Sequence, residues 1–219
     1  MLNALSAAIF GFLLGLKHAT DVDHVVAVTT IVARERSFAR AARIGALWGL
    51  GHSLTVLVIG GLLIVFRISL PARVGLGLEF GVALMLIVLG FTSLRGERAT
   101  AAERQAKATR SAWRPVFIGV VHGLAGSAAV ALLVLALIPD TVLALAYLLV
   151  FSVGTIAGMM VVTSLIAAPA VYGGERVTRF QRGIRLAAGT LSLLLGLVLA
   201  REIIVDGGLF SGIARWTTE

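Results

Sequence analysis

From Thr141 to Gly174 the chain carries no charged residue. A run of that length exceeds the roughly 20 apolar residues that cross the hydrocarbon core of a bilayer as one helix. Five further apolar stretches accompany it, from about Leu5 to Ala33, Ile44 to Phe66, Leu76 to Leu94, Pro115 to Ile138 and Gly183 to Ile204. Of the 219 residues 58% are hydrophobic and only 14% charged, where a soluble domain has about 25% charged. The chain therefore reads as an all-α membrane protein with six transmembrane helices. The first and fifth stretches exceed what one straight span needs, so each has room to tilt, to break or to continue as a half-helix.

The charges between the stretches alternate. The gaps after the first, third and fifth hold Arg34, Arg36, Arg40 and Arg43, then Arg95, Arg98, Arg104, Lys107, Arg110 and Arg114, then Arg176, Arg179, Arg182 and Arg185. The remaining gaps and the C-terminus hold only Arg67, Arg73, Arg201 and Arg215. In a soluble protein the net charge of +8 would suggest a nucleic-acid partner. Here it is the footprint of positive-inside topology, with the lipid bilayer as partner and no nucleic acid. The rule makes the chain multi-pass in a cytoplasmic (inner) membrane and puts both termini outside the cytoplasm. The N-terminal stretch lacks a basic leader region and is expected to be structural, not a cleaved signal. There is no cysteine, so disulfides, thiolate metal sites and thiol redox chemistry are excluded.

A weak internal repeat links the halves. Gly15 and His18 correspond to Gly119 and His122, Gly51 to Gly154, and Gly90 and Arg95 to Gly196 and Arg201, at offsets of 103 to 106 residues. Three spans per half is an odd number, so the second half would sit inverted, and inverted repeats place a substrate site near the midplane. The expected layout is a first three-helix repeat over 1–94, a basic cytoplasmic loop over 95–114 and a second three-helix repeat over 115–219.

The chemistry concentrates in Lys17-His18-Ala19-Thr20-Asp21-Val22-Asp23-His24. Ionisable side chains at membrane depth are costly and mark ion or substrate paths. On a continuous helix His18, Asp21 and His24 share one broad face, and Asp23 points elsewhere unless the helix breaks. Imidazole with carboxylate and no thiolate suits Ni²⁺ or Co²⁺, and ligand type alone leaves Zn²⁺ and Mn²⁺ open. A proton relay is a second reading. A structural network, with Lys17 and Asp21 paired at i,i+4, is a third. The chain's other histidines, His52 and His122, also fall in expected spans and are candidate ligands. Met159 and Met160 read as core packing and Glu79 as interfacial. Nothing points to an enzyme or to a resident cofactor, and the oligomeric state is not legible.

His18-x4-Asp23-His24 resembles the signature of the nickel/cobalt transporter family, and Gly51-His52-Ser53-Leu54-Thr55-Val56 resembles that family's second-helix motif. Gly154-Thr155-Ile156-Ala157-Gly158-Met159 and the Gly-rich stretch after His122 resemble the related urease-accessory, UreH-like branch. The resemblance implies a permease for Ni²⁺ and Co²⁺, with His18, Asp21, Asp23, His24 and His52 contributing to binding or selectivity. An accessory protein delivering nickel to a maturation partner, or an exporter of the same superfamily, is the alternative. The core family has eight spans and an Arg where Lys17 stands. Its later acidic motifs are missing here, which points to a second half less directly involved in metal binding.

Overall fold

The computed structural model describes residues 4–33, 35–68, 70–95, 113–173, 178–211 and 214–216. Most of the basic loop expected over 95–114 lies outside the described residues. Every regular element among them is helical: α1 (Ala4–His18), α2 (Val22–Val32), α3 (Phe38–Thr55), a π-helical turn (Val56–Gly60), α4 (Gly61–Phe66), α5 (Ala72–Arg95), α6 (Trp113–Leu137), α7 (Thr141–Tyr172), α8 (Thr178–Arg201) and a second π-helical turn (Glu202–Asp206). Four of these runs are long and apolar enough to cross a membrane: Phe38–Phe66, Ala72–Arg95, Thr141–Tyr172 and Gln181–Asp206. Helix starts follow local chemistry. Ser37 caps α3 by accepting from Arg40 N–H, and Asp140 caps α7 by accepting from Leu143 N–H.

The first apolar stretch is broken into α1 and α2. Thr20 turns both its N–H and its hydroxyl onto the Lys17 carbonyl, and Asp21 takes an extended backbone (φ −60°, ψ 147°). The fifth stretch, which length alone allowed to break, does not: α7 runs through 32 residues. Its buried Thr155 and Thr163 hydroxyls donate one turn back to the Phe151 and Met159 carbonyls, while the buried Ser152 hydroxyl has no hydrogen-bond partner. Pro169 falls in the last turn, so the ladder bond it removes, to the Leu165 carbonyl, lies close to the helix end and leaves the span intact.

Helix pairs form an alternating network. α1 packs on α7, α3 on both α6 and α7, α5 on α8 and α6, and α2 on α8. Small residues set the spacing. A Cβ on Gly15 would collide with the Phe151 carbonyl, and one on Gly119 with the Trp48 carbonyl. Gly154 and Gly51 meet the Phe12 and Val116 carbonyls in the same way. Such contacts let membrane helices approach backbone to backbone. Behind them lies a core of Val28, Trp48, Leu86 and Met159. The outward faces keep large apolar side chains exposed, among them Ile9, Leu54, Val88 and Leu165, as lipid contact requires.

The two ends of the bundle differ. At one end Phe38 meets Tyr172, and Arg185 and Ser93 exchange hydrogen bonds with each other's carbonyls. At the other Arg67 donates to the Pro139 carbonyl, Arg73 to Ser211, and Trp216 Nε1 to Glu79. The close approaches carry a prediction. Gly15→Leu and Gly119→Leu should each destabilise the protein by about 3 kcal/mol, since overpacking has no relief against backbone. Gly77→Leu, where an added Cβ meets nothing within 4 Å, should be neutral. Unfolding in detergent measures all three.

Candidate metal centre

All four histidines converge, although they come from four helices. His18 ends α1, His24 lies in the first turn of α2, His52 sits near the middle of the 29-residue run Phe38–Phe66, and His122 is on α6. Ring centroids are 4.6 Å apart for His18 and His24, 5.2 Å for His18 and His52, 5.2 Å for His24 and His52, and 4.2 Å for His24 and His122. His24, His52 and His122 are buried. Trp48, fully buried, stacks beside His24 at 6.3 Å and meets His122 edge-on at 6.0 Å. Phe151 covers His18 at 5.4 Å.

Two carboxylates orient these rings. Asp21 Oδ2 lies 2.8 Å from His18 Nδ1. Asp23 Oδ1 lies 3.1 Å from His24 Nδ1 and accepts the His24 backbone N–H, while Asp23 Oδ2 lies 3.1 Å from His122 Nε2. An ionised carboxylate only accepts, so each ring nitrogen facing one carries the proton. The opposite nitrogens are then lone pairs. His24 Nε2 and His122 Nδ1 are buried with no hydrogen-bond partner, and His18 Nε2 stands 3.3 Å from His52 Nε2. Two residue sets bring one donor atom each to within 4.8 Å of one another: His18, His24 and His52, and Asp23, His24 and His122. Carboxylate–histidine pairs of this kind fix the tautomer of metal-binding rings and raise their basicity.

The sequence-based candidates are redistributed by the break between α1 and α2. Asp23, off-face on a continuous helix, turns inward and joins two rings. Asp21 reaches only His18 and is about half exposed (47%). Its carboxylate leaves the start of α2 without a side-chain cap. The Lys17–Asp21 pair does not form, because α1 ends between them. His122 meets Asp23 directly, so the second half contributes to the cluster more closely than its lack of acidic residues suggested. No sequence pattern marks Trp48 or Phe151 as a neighbour of the cluster, although Trp48 stands one helical turn before His52. Met159 is core, as expected, whereas Met160 faces outward and is exposed, because it follows Met159 by one position on the same helix, and Glu79 accepts from the Trp216 indole.

Asp23→Ala should cost about 2–3 kcal/mol of stability, because it strands two buried ring N–H groups. Asp21→Ala, at a half-exposed pair, should cost under about 1 kcal/mol. Unfolding midpoints in detergent without added metal compare the two.

No protein-family model and no solved structure matches the chain. Among characterised proteins it is 26% identical over 213 residues to the Chloroplast protein FOR GROWTH AND FERTILITY 2 of Arabidopsis thaliana, covering 90% of this chain and 56% of that protein. It is 26% identical over 214 residues to the Chloroplast protein FOR GROWTH AND FERTILITY 1 of the same plant, covering 88% and 58%. The chain thus spans little more than half of those two relatives. It is 31% identical over 220 residues to the Urease accessory protein UreH of Bacillus sp. (strain TB-90), and that alignment covers 95% of this chain and 96% of the relative. With near end-to-end similarity of that kind, and a membrane-type bundle closed around a His/Asp cluster, the chain belongs to the UreH family.

Proposed function

We propose that the chain is a transmembrane transporter of divalent transition-metal ions, Ni²⁺ or Co²⁺, that holds its cargo at the His/Asp cluster in mid-bilayer. The observation that carries this reading is the approach of His18 Nε2 and His52 Nε2 to 3.3 Å. A tetrahedral ion with bonds of about 2.05 Å separates its nitrogen ligands by about 3.3 Å. Nitrogen-rich, thiolate-free donors suit late first-row ions and discriminate against Mg²⁺ and Ca²⁺. Asp21 and Asp23 supply the negative charge that a dication needs in a low-dielectric site, and they disfavour an anionic cargo.

The packing supports two inverted three-helix units, 1–94 and 115–219, joined by the loop 95–114. Gly15 lies on Phe151 and Gly119 on Trp48; shifting each residue by one repeat turns the first contact into the second. Gly154 on Phe12 and Gly51 on Val116 exchange likewise. In that arrangement α1 and α2 together make one interrupted span, with the cluster at the interruption, as in transporters whose broken helices carry the binding site. Contacts that gather the ends of α3, α5, α7 and α8 on one side agree with a basic cytoplasmic face and external termini in an inner membrane.

The name of the Bacillus relative favours a second reading, a metal-binding accessory protein that hands its ion to a partner without moving it across the membrane. Flux of divalent ions into proteoliposomes separates the two. The transport reading expects uptake of Ni²⁺ or Co²⁺ by wild type. His18→Ala should lower it by at least the roughly 10- to 100-fold that loss of an orienting partner costs a metal site. Binding without flux selects the accessory reading, and unchanged flux in folded His18→Ala removes the site.

A further inference from the structure

The two donor sets share one residue, His24. The first, with His18 and His52, consists of three imidazoles, and the second, with Asp23 and His122, of two imidazoles and a carboxylate. The two nitrogens of the His24 ring differ in their surroundings. Its Nε2 is buried without a hydrogen-bond partner, while its Nδ1 faces Asp23. The ring makes T-shaped contacts with both His18 (69°) and His122 (71°), one from each donor set. It is also packed against Trp48 on its face, at an interplanar angle of 16°, which leaves it little freedom to turn over.

We propose that the cargo ion occupies two adjoining positions in turn, first among His18, His24 and His52 and then among Asp23, His24 and His122, with His24 as the ligand common to both. This rests on the transport reading. The positions differ in chemistry. The first is neutral and all-nitrogen, so it admits late transition ions and rejects hard ones. The second adds a formal charge. An ion settling there displaces the protons from His24 Nδ1 and His122 Nε2, and each ring stays neutral by taking a proton on its opposite nitrogen, His24 Nε2 and His122 Nδ1, with the half-exposed Asp23 (43%) as the link to water. Ions on both nitrogens of one ring would stand about 6 Å apart with little solvent between them. Mutual repulsion then limits the site to one ion at a time. A set of ligands that passes an ion between two weaker positions also releases it more readily than a single closed cage would.

The test is Co²⁺ binding to the purified full chain in nanodiscs, read by calorimetry and by the visible d–d spectrum, with Co²⁺ flux measured on the same proteins. Wild type should bind one Co²⁺ per chain. His52→Ala and His122→Ala should each still bind one, with spectra that differ from each other because the surviving donors differ. His24→Ala should lose binding at the same concentrations. Flux should be lost in all three variants, since each lacks at least one of the two positions. The near-isosteric His52→Gln and His122→Gln, checked for wild-type elution and melting, guard against loss through misfolding. If folded His52 or His122 variants lose binding altogether, or share one spectrum, there is a single position and the inference is overturned. That result leaves the transport reading standing. Wild-type binding with no flux would instead sink transport, while two distinct variant spectra would still establish two positions.

Discussion

Asp23 joins the two halves of the protein at their centre. One oxygen holds His24 on its own helix, and the other reaches His122 on α6, ninety-nine positions further along. Neither ring could be buried cheaply beside Trp48 and the helix backbones with an unanswered N–H. The carboxylate answers both, and the break between α1 and α2 is what aims it inward. A continuous helix would have turned Asp23 away and left the cluster as a line of residues on one face. The rest of the bundle permits this arrangement more than it causes it. Glycines at 15, 51, 119 and 154 bring the backbones of α1, α3, α6 and α7 close enough for rings from four helices to meet.

The cluster also accounts for what the first apolar stretch gives up. Its α-helical ladder is interrupted at Ala19–Asp21, where Thr20 folds back on Lys17. Asp21 forgoes capping α2 and orients His18 instead. α7, which serves the cluster mainly as a wall, keeps its helix whole. The one full break thus falls, among the apolar stretches compared, in the segment that carries most of the donors. The π turn that follows His52 in the next helix is of the same kind, since such turns relocate side chains by one position and recur at functional sites.

Much of this was legible beforehand. Charge-free runs gave the helical stretches, because a bilayer leaves the backbone few alternatives. The string from Lys17 to His24 located the site, because charge at membrane depth is rarely incidental. The geometry was less accessible. Asp23 looked off-face because helical periodicity assumes an unbroken helix. The Lys17–Asp21 pair looked available for the same reason. Nothing local marked Trp48 as the neighbour of His24, or said that α7 would run unbroken where α1 would not.

The sequence by itself determined that the chain is helical and membrane-type, and which side chains stand ready as donors. These follow from solvent preference and ligand chemistry, which each residue carries wherever it sits. Tertiary structure alone decided which donors meet: His52 with His18, His122 with Asp23, and His24 between them. That choice depends on a helix break and on backbone approaches between segments 65 to 142 residues apart, and no local period encodes either.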